Sequence, residues 1–133
     1  MDSNQRPRVL LVEDELDLVF LLERALRQAG FETLSCVEGN VALARALAEP
    51  PELFIFDWML PGIDGIELCR RLKADPRTAH VPVLLITARG REIDVFRAMA
   101  EGADDCLLKP FALTEFLARA RALVGPLRPL SQR

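Results

Sequence analysis

Short apolar runs alternate with amphipathic stretches along this chain, and that alternation is the strongest constraint on its fold. Val9-Leu10-Leu11-Val12 reads as a strand. Leu18, Val19, Leu22, Ala25, Leu26 and Ala29 then trace one face of a helix that stops at Gly30. Residues 31–36 are a weaker strand, followed by a helix through Val41, Leu43, Ala44 and Leu47 that the Pro50-Pro51 pair ends. Leu53-Phe54-Ile55-Phe56 is a third strand. After a turn at Pro61-Gly62, Asp64 with Glu67 three residues on forms a capping-box pattern, and Ile66, Cys69 and Leu72 give a third helix its buried stripe. Asp75-Pro76-Arg77-Thr78 breaks the chain. Residues 81–87 are a fourth strand, followed by a helix carrying Ile93, Phe96 and Ala100 and ending at Gly102. Cys106-Leu107-Leu108 is a fifth strand, and Phe116, Leu117, Ala120, Leu123 and Val124 share one face of a last helix.

Strands that each lead into a helix require crossover connections, which are right-handed, and hence a parallel sheet covered on both faces. The expected fold class is therefore α/β, a doubly wound sheet. The continuous apolar strands ending at Phe56 and at Ile86 suit central positions, and the half-polar residues 33–36 suit an edge. With 133 residues, half of them hydrophobic, one domain and one core are expected. That domain is assigned to residues 1–125. Residues 126–133 follow the last helix and are rich in proline, so they read as a C-terminal tail or the start of a linker.

A net charge of −3 supplies no basic footprint, so direct nucleic-acid binding by this chain is not expected. Cys36, Cys69 and Cys106 are odd in number and lack CxxC spacing, which argues against a disulfide framework or a zinc site and suits the cytoplasm. No apolar stretch approaches the roughly 20 residues of a membrane span, and the first residues lack a signal-peptide core.

In a parallel sheet the strand C-termini share one edge, and ligands bind there where the winding direction changes. The first strand runs into Glu13-Asp14, the third into Asp57, the fourth ends at Thr87 and the fifth runs into Lys109-Pro110. Asp57 is the hardest of these to explain away, because it closes an apolar run and Asp64 already supplies the next helix cap. Clustered carboxylates repel one another, and hard oxygen donors of this kind are what Mg²⁺ takes, with waters and a phosphate completing its shell. Each residue also has a plainer reading. Glu13-Asp14 could cap the first helix, Thr87 could satisfy a local backbone group, and Lys109 could be a solvated surface charge. Their coincidence at independently assigned strand ends favours a shared site. The single histidine, His80, lies in the loop before the fourth strand and receives no catalytic role.

Four blocks carry a resemblance: residues 9–15, VLLVEDE; residues 56–65, FDWMLPGIDG; residues 85–89, LITAR; and residues 102–111, GADDCLLKPF. In this order and spacing they resemble the signature blocks of receiver domains of bacterial two-component response regulators, over residues 8–124. The resemblance implies a flavodoxin-like sheet of five strands in the order 2-1-3-4-5 with five helices. It implies a phosphoacceptor switch, not an enzyme in the ordinary sense, that assists its own phosphorylation and dephosphorylation. A sensor histidine kinase would pass its phosphoryl group to Asp57. Asp14, Asp57 and the backbone carbonyl of Met59 would bind Mg²⁺, with Glu13 acting through water. Thr87 would hydrogen-bond the phosphoryl group and Lys109 would pair with it across a cis Lys109-Pro110 peptide.

Trp58-Met59, Arg89, Arg97, Asp104, Asp105, Glu115, Arg119 and Arg121 resemble receivers of the winged-helix transcription-factor branch. In those relatives, charges on the fourth helix, fifth strand and fifth helix pair across a two-fold axis, which implies a phosphorylation-dependent homodimer. Met59 and Arg89 would shape access to Asp57. Receivers usually carry an aromatic residue three positions before the lysine, and this chain has Cys106 there. A thiol cannot swing a ring, so the switch is expected to run through the helix after Thr87 and its charged neighbours. A haloacid-dehalogenase-type phosphatase would need a second aspartate where Met59 stands. A flavodoxin-like cofactor site would need a hydroxyl- and glycine-rich loop where Glu13-Asp14-Glu15 stands. An unphosphorylated pseudo-receiver would not need the full set of Asp14, Asp57, Thr87 and Lys109.

Overall fold

The computed structural model describes residues 6–88 and 90–125; Arg89 and the 126–133 tail assigned above lie outside the described residues. Strands β1 (Arg8–Val12), β2 (Glu32–Cys36), β3 (Leu53–Asp57), β4 (Val83–Thr87) and β5 (Asp105–Leu108) alternate with helices α1 (Leu16–Gln28), α2 (Gly39–Ala48), α3 (Gly65–Ala74), α4 (Glu92–Ala100) and α5 (Leu113–Val124). The strands form one parallel sheet in the order β2-β1-β3-β4-β5. Fold class and strand order both match the sequence-based expectation.

The period-2 alternation of the strands sorts their side chains between two cores. Leu10, Val12, Phe54 and Phe56 meet α2, α3 and α4 through Ala42, Ala46, Ile66, Leu68, Leu72 and Ala98. Val9, Leu11, Leu53 and Ile55 meet α1 and α5 through Val19, Leu22, Leu26, Phe116 and Ala120. Every residue of β3 and β4 is buried, which is why those strands are apolar without alternation. β2, exposed at alternate residues, is the edge that its polarity suggested.

Three local details follow from packing. In α2 the fully buried residues are Gly39, Ala42 and Ala46, Leu43 and Leu47 pack half-buried against the core beside them, and Val41 and Ala44 are exposed. In α4 the residues named from the sequence do not face the core. Ile93 and Phe96 are 62% and 70% exposed, and Asp94 and Ala98 are buried. The capping box closes in one direction only. The Glu67 N–H donates to Asp64 Oδ1 at 2.9 Å, but the Glu67 carboxylate turns to Arg70 and Arg71 instead of back to the cap. Among the described residues no helix is long and apolar enough to cross a membrane.

Candidate functional site

Parallel register brings four strand ends together. Val12 lies opposite Phe56, Asp57 opposite Ile86 and Thr87 opposite Leu108, so Glu13, Asp57, Thr87 and Lys109 emerge at nearly one level. The Trp58 N–H donates to the Ile86 carbonyl at 3.0 Å and the Lys109 N–H to the Thr87 carbonyl at 2.7 Å, which extends the ladder past the last strand residues. The Lys109-Pro110 peptide is cis, as the resemblance implied.

Lys109 closes the cluster. Its Nζ lies 2.6 Å from Asp57 Oδ2 and 3.3 Å from Glu13 Oε1. Asp57 Oδ1 accepts the Met59 N–H at 3.0 Å, and Glu13 Oε2 accepts the Glu15 N–H at 3.1 Å. Glu13 is thus turned towards the site; Glu15 is the N-cap residue of α1, and no side chain caps it. Carboxylate oxygens of Glu13, Asp14 and Asp57 fall within 4.8 Å of one another. Glu13, Asp57 and Thr87 are buried and Asp14 is exposed, so the cluster has a dry floor and one wet side.

One ammonium does not balance three carboxylates. Burial pushes the Glu13 carboxyl up to about 7, its hydrogen bond and repulsion with Asp57 push the same way, and the Glu15 N–H and Lys109 oppose them. For Lys109, burial alone would lower the pKa, but the hydrogen bond to Asp57 and the charges of Asp57 and Glu13 outweigh it and hold the ammonium protonated. An excess of negative charge on hard oxygen donors fits a divalent cation such as Mg²⁺.

The structure therefore gathers Glu13, Asp14, Asp57, Met59, Thr87 and Lys109 at one edge. The charged residues assigned to a dimer face lie elsewhere, and several pair within the protomer. Asp105 meets Arg119 Nη1 at 2.8 Å, Glu115 meets Arg119 Nη2 at 3.0 Å, and Asp104 meets Lys73 at 3.1 Å while accepting the Val83 N–H. Arg97 and Arg121 are exposed, and Cys106 is half-buried with its carbonyl accepting from Arg119. Sequence reasoning gave no role to Gly65. Its N–H donates to the Trp58 carbonyl at 2.8 Å, and a Cβ there would collide with the Asp57 carbonyl oxygen and sit 2.9 Å from Trp58 Cα. The available signal was a glycine inside the first turn of a helix, where helix propensity favours other residues.

Residues 9–121 match the response regulator receiver domain family. The chain is 44% identical over 123 residues to the phosphate regulon transcriptional regulatory protein PhoB of Rhizobium meliloti (strain 1021), covering 92% of this chain and 54% of that protein. It spans about half the length of the curated relatives it matches. Among solved structures it is similar to a protein assigned as a response regulator from Chloroflexus aurantiacus J-10-fl (TM-score 0.85, 34% identity, 90% of this chain and 98% of that one). It is also similar to the receiver domain of a sensor histidine kinase from Pseudomonas aeruginosa PAO1 (TM-score 0.83, 26% identity, 91% and 99%), whose structure has a magnesium ion coordinated in the active-site cleft. The transcriptional regulators among these relatives bear out the branch to which Trp58-Met59 and the charged residues pointed. With its sheet order, its lysine-closed acidic pocket and these relatives in agreement, the chain belongs to the response regulator receiver domain family, the phosphoacceptor switches of two-component systems.

Proposed function

We propose that Asp57 accepts a phosphoryl group from the phosphohistidine of a sensor histidine kinase. The observation that carries this reading is the Lys109 ammonium, 2.6 Å from the buried Asp57 carboxylate, with Glu13 and Asp14 beside it. An Asp57 oxygen attacks phosphorus in line. The P–N bond to the kinase imidazole breaks, and its electron pair stays on that nitrogen, which takes up a proton from solvent. Lys109 moves its pairing from the carboxylate to a phosphoryl oxygen, and the Thr87 hydroxyl donates to another. Asp14, Asp57 and the Met59 carbonyl would hold Mg²⁺, with Glu13 acting through water. When bound, the ion neutralises charge on the transferring oxygens. The same residues would serve the attack of water that removes the phosphoryl group.

The added group brings about −1.5 to −2 charges next to Thr87 and the start of α4. From there the change passes to the α4-β5-α5 face and to a homodimer. Support for that route is the exposure of the apolar Ile93, Phe96 and Met99 on α4 and Leu108 on β5, with the charged Arg97, Asp105, Arg119 and Arg121 on the same three elements, α4, β5 and α5. By extension from the transcriptional relatives, the controlled output is gene regulation in the cytoplasm. Trp58, buried beside Asp57, offers the test. Its fluorescence should change with Mg²⁺ and again with beryllofluoride, and Asp57→Ala should abolish the second response. Absence of both responses in the wild-type protein, or their survival in Asp57→Ala, would refute the assignment.

A further inference from the structure

We infer that Gly39, at the start of α2 and outside every residue assigned to the site, is a positioning residue for the loop that presents Met59. The inference rests on the roles proposed above for Asp57 and Met59.

Residues 59–64 form a loop closed at its base by the Gly65 N–H donating to the Trp58 carbonyl at 2.8 Å, and Trp58 is itself held by the Ile86 carbonyl at 3.0 Å. On its far side the loop rests on α2. The Gly39 N–H donates to the Pro61 carbonyl at 3.2 Å. A Cβ on Gly39 would lie 2.6 Å from Ile63 Cγ1 and closer still to the Ile63 carbonyl oxygen, inside the 3.0 Å that real Cβ atoms essentially never breach. A side-chain tip could swing away from such a Cβ, but a backbone carbonyl cannot. The loop would have to retreat by about 1 Å to regain ordinary contact.

With the base of the loop fixed at Trp58 and Gly65, that retreat passes along the backbone to Met59. The Met59 N–H holds Asp57 Oδ1 at 3.0 Å, and its carbonyl is the proposed metal ligand. Alanine is the stronger helix former, so a glycine in the first turn is not explained by helix propensity. The first turn of α2 therefore acts as a stop that sets the depth of the loop, and through it the placing of a nucleophile supplied by another element.

Gly39→Ala should weaken Mg²⁺ binding, read from Trp58 fluorescence, by about 10- to 100-fold, the usual range for groups that orient metal ligands. Without metal, it should speed hydrogen exchange at the Met59 amide, read by NMR. Both are measured where circular dichroism shows a folded protein, with sucrose added if needed to favour the compact state. Gly30→Ala is the control. Gly30 has φ +100° and no atom within 4 Å of a built Cβ, so that variant loses stability through backbone strain away from the site and should keep wild-type affinity. Wild-type affinity and Met59 exchange in Gly39→Ala would overturn this inference alone, as would an equal loss of affinity in Gly30→Ala. A wild-type protein whose fluorescence ignores Mg²⁺ would overturn the metal site itself, and this inference with it.

Discussion

Lys109 is the residue on which the charge balance of the site turns, because it is the cation seen between two buried carboxylates. Preorganised donors aimed at developing charge contribute strongly to catalysis, and removing one typically costs about 100- to 1,000-fold in rate. Lys109→Ala should therefore slow phosphorylation by a small-molecule phosphodonor by that factor. It should leave Mg²⁺ binding intact or tighter, since a competing cation has gone. An unchanged rate would mean that Lys109 only offsets buried charge. Cys106 is the second informative residue. It packs half-buried where an aromatic ring was anticipated from the resemblance, and its burial raises the thiol pKa, so at neutral pH it is a small apolar group. If α4 carries the switch without a rotating ring, Cys106→Tyr will leave beryllofluoride-induced dimerisation unchanged in sedimentation experiments. A clear strengthening would show that the aromatic step was a missing contributor.

The elements show where sequence reasoning works and where it stops. The strands were legible because period-2 patterns and unbroken apolar runs follow directly from burial on one or both faces of a sheet. The fully buried positions of α2 and α4 were not, because they are small: Ala42 and Ala46 in one, with Leu43 and Leu47 packed beside them, and Ala98 in the other, and small residues carry little apolar signal of their own. In α4 the outward set, Ile93, Phe96 and Met99, forms an exposed apolar stripe. Phe96→Ser should change unfolding free energy by less than about 0.5 kcal/mol, as for other surface positions. In the phosphorylated protein it should weaken dimerisation by about 2 kcal/mol or more, the usual cost of losing a central aromatic anchor. Unaltered dimerisation would move the interface off α4. In α3 the Glu67 carboxyl is held down at about 2 by hydrogen bonds from Arg70 and Arg71. A depressed carboxyl contributes stability above its unfolded pKa, near 4.5, and loses it as pH falls towards 2. Glu67→Gln should accordingly lower the melting temperature slightly at pH 6, and the difference from wild type should vanish near pH 2. A difference independent of pH would point to packing instead.

Across the whole molecule, topology is what chiefly assembles the site. Glu13, Asp57, Thr87 and Lys109 are far apart in sequence and meet because strands β1, β3, β4 and β5 are parallel and adjacent in the sheet. Their membership of one edge was legible once the strands had been assigned. The distances were not, because they depend on register, and neither were the contacts that seat the loop between β3 and α3, because Gly39 and Gly65 act through the side chains they lack. This assembly should make Asp57, and no other residue, the acceptor. The most direct test is intact-mass and peptide analysis after incubation with Mg²⁺ and a small-molecule phosphodonor. One acid-labile acyl phosphate is expected, located at Asp57, dependent on Mg²⁺ and absent from Asp57→Asn. Phosphorylation that persists undiminished in Asp57→Asn, or that maps to another residue in the wild-type protein, would contradict that assignment.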